Sequence, residues 1–205
     1  MNDTSTIASL WAIVKGTSLE PAIKYQLAGT NEAKYTAIRS ALDDAINQIQ
    51  LNRHLKQGLS EDQLTIEICQ MLVALGFDAR HDEQIGGHCD IVVKGKNQFL
   101  WIAEAKKHSD YNWLSKGFLQ LSTRYSTGVA GQDQGEIIIY CFTRDAKNVL
   151  EKWHQKLQND HPCVAIFNPS TENPLEFWSQ HHHESTGLPF KVRHKIVALH
   201  FDPAA

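Results

Sequence analysis

Between His88 and His108 the chain reads HCDIVVKGKNQFLWIAEAKKH, and this stretch restricts the fold more than any other. Two apolar runs flank KGKN, a turn-forming tetrapeptide, so the pattern predicts an antiparallel hairpin with strands HCDIVVKG and QFLWIAEAKK. Asp90, Glu104 and Lys106 interrupt those runs. Burying an ionisable group costs free energy unless it is paired or binds a metal, so three at the ends of apolar strands imply a use. Residues two apart share a face of a sheet. Glu104 and Lys106 therefore point one way, and Ala103 and Ala105 point the other, where two small side chains let a helix pack close. With the turn centred near Gly95 to Asn97, cross-strand partners carry numbers summing to roughly 191 to 194. That range sets Asp90 opposite residues 101 to 104 and lets it approach Glu104 where the strands begin to part.

The flanking segments give the hairpin its setting. NEAKYTAIRSALDDAINQIQ carries Tyr35, Ile38, Leu42, Ile46 and Ile49 at helical spacing, and LNRHLKQG ends it at Gly58. A second helix starts at Ser60, an N-cap residue with Gln63 at the capping-box position and Glu61 and Asp62 in the first turn. Leu64, Ile68, Met71, Leu72 and Leu75 form its apolar stripe, with Glu67 at the edge. FDARHDEQIGG reads as a strand and turn, and NWLSKGFLQLSTRYSTG as a helix anchored by Trp113, Phe118, Leu121 and Tyr125. EIIIYCF is a continuous apolar strand suited to a covered sheet. RDAKNVLEKWHQKLQ is a helix, CVAIF a strand and KVRHKIVALHF an alternating final strand. The order α, α, β, β, β, α, β, α, β, β predicts an α/β fold: a mixed central β-sheet flanked by helices, with an N-terminal helical segment. Residues 1–58 form that segment, with mixed character before residue 31, and 59–205 form the main domain.

Composition excludes several classes. No apolar run approaches the ~20 residues of a membrane span, so no membrane association is expected. The start MNDTSTIASLWAIVKG lacks the basic region and long apolar stretch of a signal peptide. Cys69, Cys89, Cys141 and Cys163 form no C-x-x-C pair and are expected as reduced thiols in a cytoplasmic protein. A net charge of −3 argues against strong unaided nucleic-acid binding, but a metal ion can supply local positive charge.

Two carboxylates brought together repel unless a cation separates them. Mg²⁺ is held by one or two carboxylates, with water and substrate phosphate oxygens completing its shell. Lys106 on the same face is placed to orient the attacking water or to stabilise charge developing on the phosphate. The implied chemistry is metal-assisted phosphodiester hydrolysis.

At Asp90 and Glu104-Ala105-Lys106 the sequence resembles the PD-(D/E)XK nuclease superfamily, with its restriction-endonuclease-like fold. The resemblance runs in topology from Ser60 to about Phe142, with Cys89 where the family often has proline. It implies an endonuclease using Mg²⁺ or Mn²⁺. Asp90 and Glu104 would bind the metal, aided by Glu67 and the carbonyl of Ala105, and Lys106 would serve the water. Glu67 matches the acidic residue of the preceding helix, with Glu61 as competitor. The following helix offers Gln120 to position the metal–water network or substrate. Tyr125 lies one residue beyond the Gln-x-x-x-Tyr spacing of one branch. DNA is the expected nucleic acid ahead of RNA, in bacterial restriction, repair or defence. The resemblance also allows a homodimer, or a protein partner, through the N-terminal helices. The alternatives are a non-catalytic nucleic-acid-binding or assembly subunit of the same fold, and a hydrolase of small phosphoesters.

Other features have plainer readings. The Asp90–Glu104–Lys106 group is otherwise an edge ion-pair cluster. His88 and His108 are expected at the surface. Lys107 is expected as a solvated edge charge or a phosphate contact. SQHHHESTG, with His181 to His183, reads as a polar loop without zinc-site spacing. Trp101, Trp113 and Trp153 are expected in the core, and Trp178 offers a surface on which a base can stack.

Overall fold

The hairpin forms, with a longer turn than KGKN alone. The computed structural model describes residues 4–167 and 173–203. In it β2 (His88–Lys94) and β3 (Leu100–Lys107) run antiparallel, with Ile91 facing Ala103 and Val92 facing Ile102. Both pairs sum to 194, the top of the expected range, because the connection spans Gly95 to Phe99 with Asn97 and Gln98 at positive φ. The ladder stops at Ile91, so the strands part beside Asp90.

Seven strands form one mixed sheet. β1 (Asp78–Gln84) pairs antiparallel with β2, and β4 (Gln134–Cys141) lies parallel to β3. Beyond β4 comes β7 (Pro189–Ala198), parallel to it, then the antiparallel β6 (Glu176–His182) and β5 (Ala165–Phe167). The order across the sheet is β1-β2-β3-β4-β7-β6-β5. β4 is buried along its whole length, as its apolar run requires.

Helices cover both faces. α3 (Asn31–Leu51) starts at Thr30, whose side chain accepts from the Ala33 amide, and α4 (Glu61–Ala74) starts at the reciprocal Ser60–Gln63 capping box. The stripes of α3 and α4 pack against Ala103, Ala105, Ile138 and Tyr140 in one cluster. The division expected after Gly58 thus runs through a shared core, with α3 as part of the sheet's cover. On the other face, α5 (Tyr111–Gln120) and α6 (Ala146–Asp160) pack with Ile137, Ile139, Val192 and Ile196.

Three elements were not foreseen. The mixed start contains α1 (Thr4–Val14) and α2 (Glu20–Leu27), the latter with Pro21 in its first turn, where a missing N–H costs nothing. The histidine segment is strand rather than loop: β6 runs to His182, paired with β7. The expected long helix at 112–128 ends as α5 at Gln120 and continues as a π turn, Leu121–Tyr125. Ser122, Thr123 and Ser126 hydroxyls each bond the carbonyl four residues back, competing with the helical ladder.

Candidate active site

Strand alternation places Glu104 and Lys106 on the α5 side of the sheet, and both are almost fully buried. The helix comes close because residue 117 is glycine. A Cβ there would lie 2.8 Å from Lys106 Cγ and 3.4 Å from Glu104 Cγ. Under that lid Lys106 Nζ lies 2.6 Å from Glu104 Oε1 and 3.7 Å from Asp90 Oδ2. It also donates to the Ala105 carbonyl at 3.0 Å. Asp90 reaches across the gap where the strands part, and its Oδ2 accepts from the Ala105 amide at 2.7 Å. The three residues singled out by the strand argument therefore converge, together with the Ala105 carbonyl.

The helical acid is Glu61 rather than Glu67. Glu67 is held by Lys56 at 2.6 Å, at the side of α4 away from Lys106. Glu61, in the first turn of α4, places Oε1 3.4 Å from Lys106 Nζ, while its Oε2 accepts from the Lys107 amide and, at 3.4 Å, from Trp113 Nε1. The first turn lies nearest the open end of β3, whereas Glu67 lies nearly two turns further along the helix.

Trp113 is also corrected: it is half-buried against the cluster, with Lys106 Nζ 5.2 Å from its ring centre, while Trp101 and Trp153 are core residues as expected. Trp178 packs beneath Arg39 rather than standing free. Lys107 is no solvated charge, since it donates to the Leu59 carbonyl at 3.0 Å and covers the Phe142 ring. His88 is exposed and pairs with Asp82, and His108 is part-buried beside Tyr111.

Gln120 does not touch the carboxylates. Its Nε2 lies 3.5 Å from the Tyr125 hydroxyl, which donates to the His88 carbonyl at 2.7 Å. The π turn absorbs the extra residue between them, since its bonds span five residues, as from the Ser126 amide to the Leu121 carbonyl. Burial, then Glu104, pushes the Tyr125 hydroxyl up to about 12.

Electrostatics make the cluster short of positive charge. Burial, then Asp90, pushes the Glu104 carboxyl up to about 7 even with an ammonium beside it. Burial also raises Asp90, opposed by Lys106 and the Ala105 amide. Burial disfavours the Lys106 ammonium, but Glu104, Asp90 and Glu61 hold its pKa above the ordinary lysine value. Glu104 Oε2 is buried without a hydrogen-bond partner. The donors are all oxygen, which suits Mg²⁺ or Mn²⁺ over softer metals. Among the described residues, no three His, Cys, Asp or Glu side chains are gathered as a ready metal-binding group; the Lys106 ammonium takes the central place. Two carboxylates, a carbonyl and an unpartnered oxygen nevertheless fit a cation of the Mg²⁺ kind, which needs few protein ligands.

Among the described residues no helix is long and apolar enough to cross a membrane. Compared with protein-family models, curated proteins and solved structures, the chain matches none.

Proposed function

We propose that this chain is a metal-dependent nuclease hydrolysing phosphodiester bonds, with DNA ahead of RNA as substrate and the cytoplasm as its compartment. One observation carries the reading: Asp90, Glu104 and Glu61 converge on a single buried lysine, and Glu104 keeps a buried oxygen without a partner. Three carboxylates around one ammonium make a poor structural unit, because removing charges from water is repaid only by full pairing. They make a good cation site.

Asp90 and Glu104, with the Ala105 carbonyl, would hold Mg²⁺ or Mn²⁺, which supplies Lewis acidity towards a phosphate oxygen. Asp90 is already oriented by the Ala105 amide. Glu61 keeps the ammonium in the site when Glu104 turns to the metal, since it approaches Lys106 from the other side of the strand. Lys106 can then hold the attacking water or the charge developing on phosphate. Gln120 acts at one remove, through Tyr125. The acidic chain relies on the metal to draw in the polyanion.

A second reading draws on the Lys106–Glu104 contact itself, which at 2.6 Å satisfies both charges in part. A non-catalytic subunit of the same fold would keep that pair as a strut. Cleavage of plasmid, single-stranded DNA and RNA with Mg²⁺, Mn²⁺ or EDTA separates the two. Metal-dependent cutting by wild type, abolished in Asp90→Ala and Lys106→Ala, is expected. A wild type that binds metal but cuts no substrate favours the strut.

A further inference from the structure

On the far flank of α5 lies a cavity of about 310 Å³, between the end of α5, the exit of α6 and the end of β6. That volume sits at the lower end of the roughly 300–1,000 Å³ typical of small-ligand pockets. Phe118 forms its aromatic wall, one residue beyond the Gly117 that packs on Lys106, and Leu119, Pro162 and Val164 add apolar surface. His161 and His181 line the same cavity, each with its ring centre 5.4 Å from that of Phe118.

The two imidazoles are the groups here with unused hydrogen-bonding capacity. Ser122 and Thr123 also line the cavity, but their hydroxyls are spent on helix carbonyls. Both ring nitrogens of His181, and Nε2 of His161, are buried without partners. The Ser122 main chain lies beside His181 but forms no hydrogen bond of ordinary geometry with it. Such orphaned groups call for an explanation. A neutral imidazole donates through one nitrogen and accepts through the other. Burial, then His183, His161 and His182, pushes His181 down to about 4, so it stays neutral at pH 7. An apolar, aromatic-walled slot with neutral donors and acceptors suits a flat, uncharged ring with a mixed polar edge better than an anion. It also suits such a ring better than a metal, since no ready group of three ligands is gathered among the described residues.

We propose that this cavity binds a planar heteroaromatic ring of the nucleobase class, hydrogen-bonded at its edge by His161 and His181 against Phe118. The proposal deepens the nuclease reading and rests on it for the source of the ring, either a base within a strand or a free nucleoside.

The test is isothermal titration of the full chain with adenosine, guanosine, cytidine and thymidine in EDTA, alongside single-stranded oligonucleotides. Wild type and Asp90→Ala are expected to bind at least one nucleoside alike, so binding stands even where cleavage fails. A His161→Phe/His181→Phe double variant keeps the aromatic packing and is expected to lose about tenfold or more in affinity, the scale of one lost buried hydrogen bond. An equal loss for oligonucleotides assigns the cavity to a base in a strand; a loss for nucleosides alone assigns it to a free ligand. Should the double variant misfold, the wild-type His161 and His181 ring-proton resonances carry the test, and both must shift on nucleoside addition. Absence of nucleoside binding, undiminished binding by a folded double variant, or unmoved resonances overturns the proposal. So does Zn²⁺ binding that depends on both histidines while nucleosides fail to bind.

Discussion

Two buried charge clusters sit on opposite faces of this sheet, and they are built differently. On the α3 face, Arg193 lies 2.6 Å from Glu136 and 2.8 Å from Asp43, and Lys195 lies 3.0 Å from Glu176. Three carboxylates there meet two cations, one of them a guanidinium whose planar fork serves two partners at once. On the α5 face, three carboxylates meet the single ammonium of Lys106. The first cluster ties α3 to β4, β6 and β7. The second lies where β2 and β3 part and joins α4 to β3 across an open end. Burial alone does not distinguish them, because it pushes Glu104 and Glu136 alike up to about 7. The balance of charge does.

The comparison breaks first at the cations. Arg193→Met leaves Glu136 and Asp43 without their main partner in the core, and a loss of about 3–5 kcal/mol is expected in urea unfolding. Lys106→Met is expected to cost clearly less, since Glu61 and Asp90 keep backbone partners and part of their exposure. Equal losses would make both clusters structural and remove the argument for a site.

Substitution of the acids should then give opposite signs. Between an unfolded pKa of about 4.3 and its folded value of about 7, Glu104 holds a proton in the folded state that the unfolded chain has released. Rising pH therefore removes stability across that window. Glu104→Gln is expected to melt higher than wild type above pH 7, by on the order of 2 kcal/mol, with the gap closing towards pH 4. Glu136→Gln should fall instead, despite the same raised pKa, because it strips Arg193 of its 2.6 Å partner. Thermal melts of both variants from pH 4 to 8 read the difference.

Much of this contrast was legible in the sequence, and the part that was not has a common cause. Asp90, Glu104 and Lys106 came from strand alternation and a turn, which are local rules, and the capping box located α4. Glu61 was harder to choose over Glu67, because both lie on one helix and only the approach of α4's first turn to the end of β3 decides between them. The α3-face cluster was invisible: Asp43, Glu136, Glu176 and Arg193 are joined by sheet order, which one sequence does not display. β6 was hidden by its histidines, whose polarity reads as loop until β7 supplies a partner. Trp113 looked like core, yet its N–H and its ring serve Glu61 and Lys106.

Metal sharpens the comparison with a smaller effect. A ligand that binds only the folded state adds RT ln(1 + [L]/Kd), about 2.7 kcal/mol at a hundredfold excess over Kd. Mg²⁺ is expected to raise the melting temperature of wild type and of Glu136→Gln, and to leave Asp90→Ala and Glu104→Ala unmoved. The benefit should shrink below pH 7, where Glu104 keeps its proton. A shift that survives in Glu104→Ala would place the metal elsewhere.

The smallest effect is expected at Tyr125, and it asks whether the π turn serves the site or only the fold. Tyr125→Phe removes the hydroxyl bond to the His88 carbonyl and the contact with Gln120. About 1 kcal/mol of stability should go with that buried bond. Gln120→Ala leaves the stronger of these contacts intact and should cost little stability. If Gln120 acts on the site through Tyr125, both variants lower kcat by a similar factor although their stabilities differ. Activity that tracks stability alone would make the turn a packing device, and would confine the chemistry to the four residues around Lys106.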